Sequence, residues 1–183
     1  MNNKPITAQK RKNRSIAILQ AQKVPYIKGS ENDLRTNFST GYITTLQKDL
    51  HNVLWGGGGT DDNEVFSSLV NLILAKIQDE DEKEDGERYD FQSLMFEKAS
   101  DDDFESNETL FERINNLYRK ALKEKLYVID EKELNKSYVV DTKKFSLSKL
   151  KYTVQQLENL SFVDGKNSLN GKDILGDFFE GII

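Results

Sequence analysis

The sequence of 183 residues contains no cysteine, one histidine and two prolines. The lack of cysteine excludes disulfides, a thiolate nucleophile and a cysteine-ligated zinc site, and the single imidazole of His51 leaves little for histidine ligation. No run of about 18 apolar residues is present, and the N-terminal part has no apolar stretch of the signal-peptide kind. We therefore expect a cytoplasmic protein that uses neither thiol nor metal–thiolate chemistry.

Charge is distributed unevenly along the chain. Residues 1–35 carry eight basic and two acidic side chains, a net charge of about +6, and because the whole chain carries −5 the remainder carries about −11. An acidic body with a basic arm does not hold nucleic acid through its overall field, although the arm can touch phosphates locally. We predict a basic arm or short helix over residues 1–32 and a helical domain over 33–183. The candidate phosphate contacts in the arm are Lys10, Arg11, Lys12 and Arg14.

Apolar side chains recur at three- and four-residue spacing over most of the chain after residue 33, which is typical of amphipathic helices. With 37% apolar residues the chain can bury one substantial core. The pattern predicts an all-α bundle of five or six helices with at most a minor short strand pair. The helices are expected near residues 33–54, 62–78, 107–126, 146–160 and 173–182.

The segments between these helices are less regular. Gly56 to Gly59 predict a flexible interhelical turn, because no Lys-Ser or Lys-Thr follows and the preceding segment is helical, unlike a phosphate-binding loop. Residues 79–88 contain seven acidic and two basic side chains, and Asp101, Asp102, Asp103 and Glu105 form a second acidic patch. We interpret both as solvated loops.

Two other segments have no clear helical pattern. Residues 89–96 predict a short strand or a coil packed on the bundle, and residues 127–141 allow a short extended piece at Tyr138 to Val140.

Four stretches resemble a known family when taken together and in order. Residues 46–66 (LQKDLHNVLWGGGGTDDNEVF) continue into residues 69–80 (LVNLILAKIQDE), followed by residues 112–118 (ERINNLY) and residues 172–183 (KDILGDFFEGII). This series is similar to the N-terminal helical region of the type I restriction-modification DNA methyltransferase subunit, an N-6 adenine DNA methylase. The apolar end at Ile182 and Ile183 leads us to expect a chain truncated before a catalytic domain.

The resemblance implies a parent enzyme that transfers a methyl group from S-adenosylmethionine to N6 of a flipped adenine. It also implies DNA and the specificity and restriction subunits or domains of the same system as partners. The sequence itself has no Asn-Pro-Pro-aromatic tetrapeptide and no Phe-x-Gly-x-Gly loop. No catalytic, cofactor-binding or metal residue is therefore assigned to this chain, which we expect to contribute to DNA clamping and subunit assembly.

Three side chains near the end of the helix expected at 107–126 are further candidates for DNA-phosphate contact: Arg119, Lys120 and Lys123. Two other classes of function are kept as alternatives. The chain could be a helical protein-interaction module of a phage-defence or regulatory protein without methylase activity. It could also be a small metal-dependent nuclease, for which Asp130, Glu131 and Lys132 match only the residue types required, whereas His51 is interpreted as a surface or core-edge residue.

Overall fold

The computed structural model describes residues 23–55, 61–95, 105–167 and 173–182. Within these ranges the chain forms six helices and one two-stranded parallel pairing, which confirms the predicted all-α bundle with a minor strand pair. The strands are β1 (Asn37–Phe38) and β2 (Lys166–Asn167). The helices are α1 (Thr40–Trp55), α2 (Asp62–Glu82), α3 (Asn107–Lys125), α4 (Glu131–Lys136), α5 (Leu147–Leu157) and α6 (Ile174–Ile182).

Several predictions fall on residues outside these ranges. They are the turn at Gly56 to Gly59, the acidic residues Asp101 to Asp103, and the candidate phosphate contacts Lys10, Arg11, Lys12 and Arg14. Residues 23–32, which we assigned to the arm, pack on the helices: the Lys28 ammonium donates to the carbonyl oxygens of Glu80 and Lys83 at 2.9 and 2.8 Å.

Four of the helices begin at a side chain that accepts a hydrogen bond from an otherwise unsatisfied backbone N–H of the first turn. The Ser106 side chain accepts from the N–H of Thr109, and the Asp130 side chain accepts from the N–H of Lys132. These caps explain why the helix boundaries coincide with Ser and Asp residues in the sequence. The capping residues are Asp61, Ser106, Asp130 and Ser146.

The core is one continuous apolar cluster to which five of the six described helices contribute. Leu134 of α4 is buried but is not part of this cluster. Helices α2 and α3 form the most extensive helix pair, and α1 packs on α6, α5 and α2. Among the described helices none is both long enough and apolar enough to cross a membrane. Side chains with no more than 1% exposure include Leu50, Leu54, Leu69, Leu72, Ile114, Leu150 and Phe178.

The first helix begins later than predicted. Residues 33–38 were expected to be helical, but Arg35 bridges Leu160 and β1 pairs with β2, so α1 begins at Thr40. The Arg35 N–H donates to the Asn159 carbonyl, and the Ser161 N–H donates to the Arg35 carbonyl, both at 2.9 Å. These partners lie more than 120 residues away in sequence, and their pairing overrides the local helical pattern.

The interpretation of both acidic runs as solvated loops holds for residues 84–88 and is wrong for residues 79–82 and for Glu105. Residues 79–82 form the last turn of α2, and Asp79 is only 1% exposed, Glu80 6% and Glu105 7%. Within the first run, Asp81 and residues 84–88 are exposed. The physical reason is that these carboxylates accept hydrogen bonds from buried backbone N–H groups of other segments, as described below.

Residues 127–141 contain the short helix α4 and no strand, so the extended piece considered at Tyr138 to Val140 is absent from this described segment. Leu134 is the buried side chain of α4, which is too short to show an apolar period.

Candidate functional site: a buried polar network and the cleft at Tyr138

A buried ion pair within α2 lies against the turn after α5. The Lys76 ammonium lies 3.1 Å from the Glu80 carboxylate, and both side chains are at most 5% exposed. Glu80 also accepts hydrogen bonds from the Ser161 hydroxyl and from the N–H groups of residues 162 and 163, at 2.9 to 3.1 Å. The ammonium lies 5.5 Å from the centroid of the Phe91 ring. Because Glu80 accepts three hydrogen bonds from residues 161–163, this pair holds that turn against the last turns of α2.

Asp79, one residue earlier, fixes the segment that follows α2. Its carboxylate accepts hydrogen bonds from the N–H groups of Asp90 and Phe91 at 3.1 and 2.7 Å. Burial raises the pKa of Asp79, whereas these two hydrogen bonds and the nearby Lys83 ammonium favour its charged form. Asp79 is therefore a buried acceptor for the loop and not part of a solvated acidic surface.

Asp79, Glu82 and Asp90 each bring one carboxylate oxygen to within 4.8 Å of the others. The Lys83 ammonium lies 2.7 Å from Asp90, 3.5 Å from Glu82 and 3.6 Å from Asp79. Lys83 contacts all three carboxylates and Lys120 pairs with Glu82, so protein cations already offset part of the negative charge of the cluster.

Replacement of Lys83 by methionine removes the one cation that contacts both Asp79 and Asp90, while Glu82 keeps Lys120. The pKa of the buried Asp79 then rises further. For an acid whose folded pKa exceeds its unfolded pKa, protonation favours the folded state, so stability increases as the pH falls through the folded pKa. We expect the stability deficit of K83M relative to the parent to shrink between pH 7 and pH 5. Urea unfolding at both pH values measures it, and a deficit that stays constant would contradict the assignment.

Two further carboxylates complete the anchoring of residues 89–95. Glu158, at the end of α5, accepts from the Ser93 N–H at 2.9 Å and pairs with Lys23 at 2.5 Å. Glu105 accepts from the Leu94 N–H at 2.9 Å and pairs with Arg113 of α3. The segment is thus a coil packed on the bundle, one of the two structures predicted for it.

The three candidate phosphate contacts in α3 also make contacts within the protein. The Arg119 guanidinium donates to the carbonyl oxygens of Ser137 and Asn135 at 3.0 and 3.1 Å. Lys120 pairs with Glu82 at 3.0 Å, and Lys123 lies 3.9 Å from Glu131. The side chains of Lys120 and Lys123 are 54% and 61% exposed and reach solvent. Their contact with DNA remains a prediction.

Tyr138 lies at the centre of a cleft that sequence reasoning did not identify. Two cavities, of about 260 and 590 Å³, share Tyr138, Val140 and Asp141 as lining residues. The smaller lies against the first half of α2, where Lys144 pairs with Glu64. The lining of the larger consists of Phe111, Lys136, Tyr138, Val140, Asp141, Thr142 and Lys143.

Side-chain amides position the wall of this cleft. The Val139 N–H donates to the Asn115 side-chain oxygen at 2.7 Å, and the Asn71 amide donates to the Val139 carbonyl at 3.1 Å. Asn115 is fully buried. Its position on the apolar face of α3, next to Ile114, was the one sequence signal for this site, because a buried amide requires a hydrogen-bonding partner.

Two smaller questions from the sequence are answered by local geometry. Asp130 caps α4 while Glu131 and Lys132 lie in that helix, so this triple does not form the hairpin arrangement that a metal nuclease requires.

His51 is exposed on α1, and its ring stacks on Trp55 with 5.1 Å between the centroids. His51 is a surface residue, as predicted.

Comparison with known proteins adds no family assignment. No protein-family model matches the chain, and no curated protein matches it.

Proposed function

We propose that the protein is a non-catalytic helical domain of a bacterial restriction-modification adenine-N6 DNA methyltransferase. In this proposal it acts in the cytoplasm, contributes to DNA clamping, and assembles with the specificity and restriction subunits or domains of the same system. S-adenosylmethionine is bound by the parent enzyme and not by this chain, whose sequence has neither the cofactor loop nor the Asn-Pro-Pro motif.

One observation carries the proposal. The sequence stretches that resemble the methylase family lie close together in the folded chain and contact the same loops or one another. Lys76, Asp79 and Glu80 belong to the stretch 69–80 and anchor two distant loops. Arg113, from the stretch 112–118, donates to the carbonyl of Asp90 at 2.9 Å, next to the Asp79 anchor. The quoted stretches therefore include residues that determine how the chain packs.

The first and last stretches also meet. The Gln47 amide of α1 donates to the carbonyl oxygens of Asp177 and Phe178 in α6, at 2.7 and 3.2 Å. A Cβ on Gly181 would lie 2.1 Å from this amide, so glycine permits the close approach of α6 to α1. The stretches from both ends of the series therefore lie in one packed helical unit, as a resemblance to a single helical region implies.

The reading frame downstream of the Ile183 codon tests the proposal most directly. We expect it to encode a Phe-x-Gly-x-Gly loop followed by an Asn-Pro-Pro-aromatic motif. A stop codon there, with no methylase frame adjoining it, would argue against the proposal.

In the parent enzyme, reversing the charge of Lys123 should weaken duplex binding equally for all sequences, because a phosphate contact carries no base information. The slope of log affinity against log salt should fall by about 1. Lys48→Glu on α1, also exposed, is the matched control. An equal effect of both substitutions would exclude a specific contact at Lys123.

A second candidate function, a protein-interaction module, is favoured by one surface feature. Leu126, Tyr127 and Ile129 follow α3 and are 57%, 80% and 83% exposed. Tyr127 has φ of 55°, in the left-handed region that non-glycine residues rarely adopt. Exposed apolar side chains on a strained turn are common at binding surfaces. Loss of partner co-purification in Tyr127→Ser, with duplex binding unchanged, would favour this function.

A further inference from the structure

The larger cavity at Tyr138 combines three kinds of group within one opening. Lys136 and Lys143 supply two cations, and the Thr142 hydroxyl supplies a hydrogen-bond donor. Tyr138 supplies a half-exposed aromatic ring, and Asp141 supplies one carboxylate. A volume of about 590 Å³ lies within the range of small-molecule sites, roughly 300 to 1,000 Å³.

Lys136 and Lys143 differ from three other lysines nearby in their ion-pair contacts. Lys120, Lys123 and Lys144 each lie within 4 Å of a carboxylate. Neither Lys136 nor Lys143 forms an ion pair within the part of the chain that the structure describes, and both are exposed. With Asp141 as the one acidic lining residue, the cavity has an excess of positive charge in an otherwise acidic protein. This local charge favours an anionic ligand.

Two side chains of α3, Phe111 and Arg119, hold the Tyr138 ring in place. The Tyr138 ring stacks on Phe111 with 6.4 Å between centroids and 13° between the planes. Phe111 is 9% exposed and Tyr138 55%. The Arg119 guanidinium lies 5.3 Å from the centroid of the Tyr138 ring and is itself fixed by two backbone carbonyls. A supported ring that stays partly exposed offers a surface on which a planar group can stack.

We propose that this cavity binds a nucleotide. The phosphate is held by Lys136 and Lys143, the base stacks against Tyr138, and the Asp141 carboxylate accepts a hydrogen bond from an exocyclic amino group. Bases that carry an exocyclic amino group, adenine, cytosine and guanine, are therefore preferred to uracil and thymine. This assignment depends on the cavity alone and does not rest on the methylase proposal.

The same chemistry is present in a free nucleotide and in a nucleotide within a single strand. Two probes separate these sources: AMP, measured by calorimetry, and a fluorescein-labelled oligo(dA) of eight nucleotides, measured by anisotropy, each with the full chain. Binding of both indicates a site for any nucleotide, and binding of the oligonucleotide alone restricts the site to a strand. UMP and oligo(dT) should bind several-fold more weakly.

The decisive variant is the double substitution Lys136→Glu and Lys143→Glu, which we expect to weaken binding at least tenfold. Lys48→Glu with Lys132→Glu changes the net charge equally at exposed positions outside the cavity and should weaken binding less than twofold. Tyr138→Leu should weaken binding about fivefold or more, because the substitution removes the stacking of the base on an aromatic ring. Thermal unfolding of each variant verifies that it folds.

Equal losses in the two double variants would show a general charge effect and would overturn the site. The absence of AMP and oligonucleotide binding at millimolar concentration would overturn it as well. Neither result bears on the reading frame beyond Ile183, so failure of this inference is distinguishable from failure of the methylase proposal.

Discussion

Replacement of Glu80 by alanine should lower the free energy of unfolding by about 3–5 kcal/mol, the usual cost of removing one partner of a buried ion pair. Lys76, 1% exposed, then keeps a charge without its counter-ion. The hydroxyl of Ser161 and the N–H groups of Phe162 and Val163 also lose their acceptor. Unfolding in urea, followed by circular dichroism, measures the change.

A second variant separates the loss of charge from the loss of hydrogen bonds. Lys76→Met combined with Glu80→Gln removes both charges and keeps an oxygen acceptor, so it should recover more than half of the loss. Glu84→Ala, two residues beyond α2 and exposed, should change stability by less than about 0.5 kcal/mol. A Glu80→Ala effect no larger than that of Glu84→Ala would show that the ion pair does not hold the turn.

Replacement of Gly165 by alanine should destabilise the protein by about 3 kcal/mol, because the added methyl group has no space. A Cβ at this position would lie 2.0 Å from the Ser161 carbonyl oxygen and 2.6 Å from Cγ2 of Ile174. The nearer atom belongs to the backbone of the turn that Glu80 holds, so the strain cannot be relieved by rotating a side chain.

Gly176, in the first turn of α6, is the matched control for this substitution. Nothing lies within 4 Å of a Cβ built there. Alanine at this helical position should stabilise the protein by about 0.5–1 kcal/mol, since glycine carries a larger entropic cost in a helix. Thermal unfolding of both variants should therefore shift in opposite directions; a Gly165→Ala variant as stable as the parent would contradict the packing described here.

The parts of the fold that sequence predicted are those whose determinants are local. Helix α3 was predicted over residues 107–126 and spans Asn107–Lys125, because its apolar spacing lies within the segment and its cap, Ser106, directly precedes it. The beginning of α1 was predicted wrongly because Phe38 of β1 pairs with Asn167 of β2. No local pattern records a partner at that separation.

At the polar sites, too, sequence did not predict what depends on distant segments. Asp79 and Glu80 stand in a ten-residue run that contains seven acidic residues, and composition alone predicts solvation for such a run. Their burial depends on N–H donors from residues 90, 91, 162 and 163. The cleft at Tyr138 escaped prediction for a related reason, since Asn71, Asn115 and Val139 meet only after α2 and α3 have packed together.

The separation in sequence between α2 and its anchored turn bears on synthesis at the ribosome. Residues up to Glu82 leave the ribosome about 80 residues before Ser161, Phe162 and Val163 can reach Glu80. During that interval Lys76 and Glu80 cannot be buried with all of their hydrogen bonds made, and loop closure over so long a span is itself slow. The bundle therefore reaches its native packing only when nearly the whole described chain has been translated, so a nascent chain stopped before residue 161 should remain sensitive to proteolysis even though its two longest helices are complete.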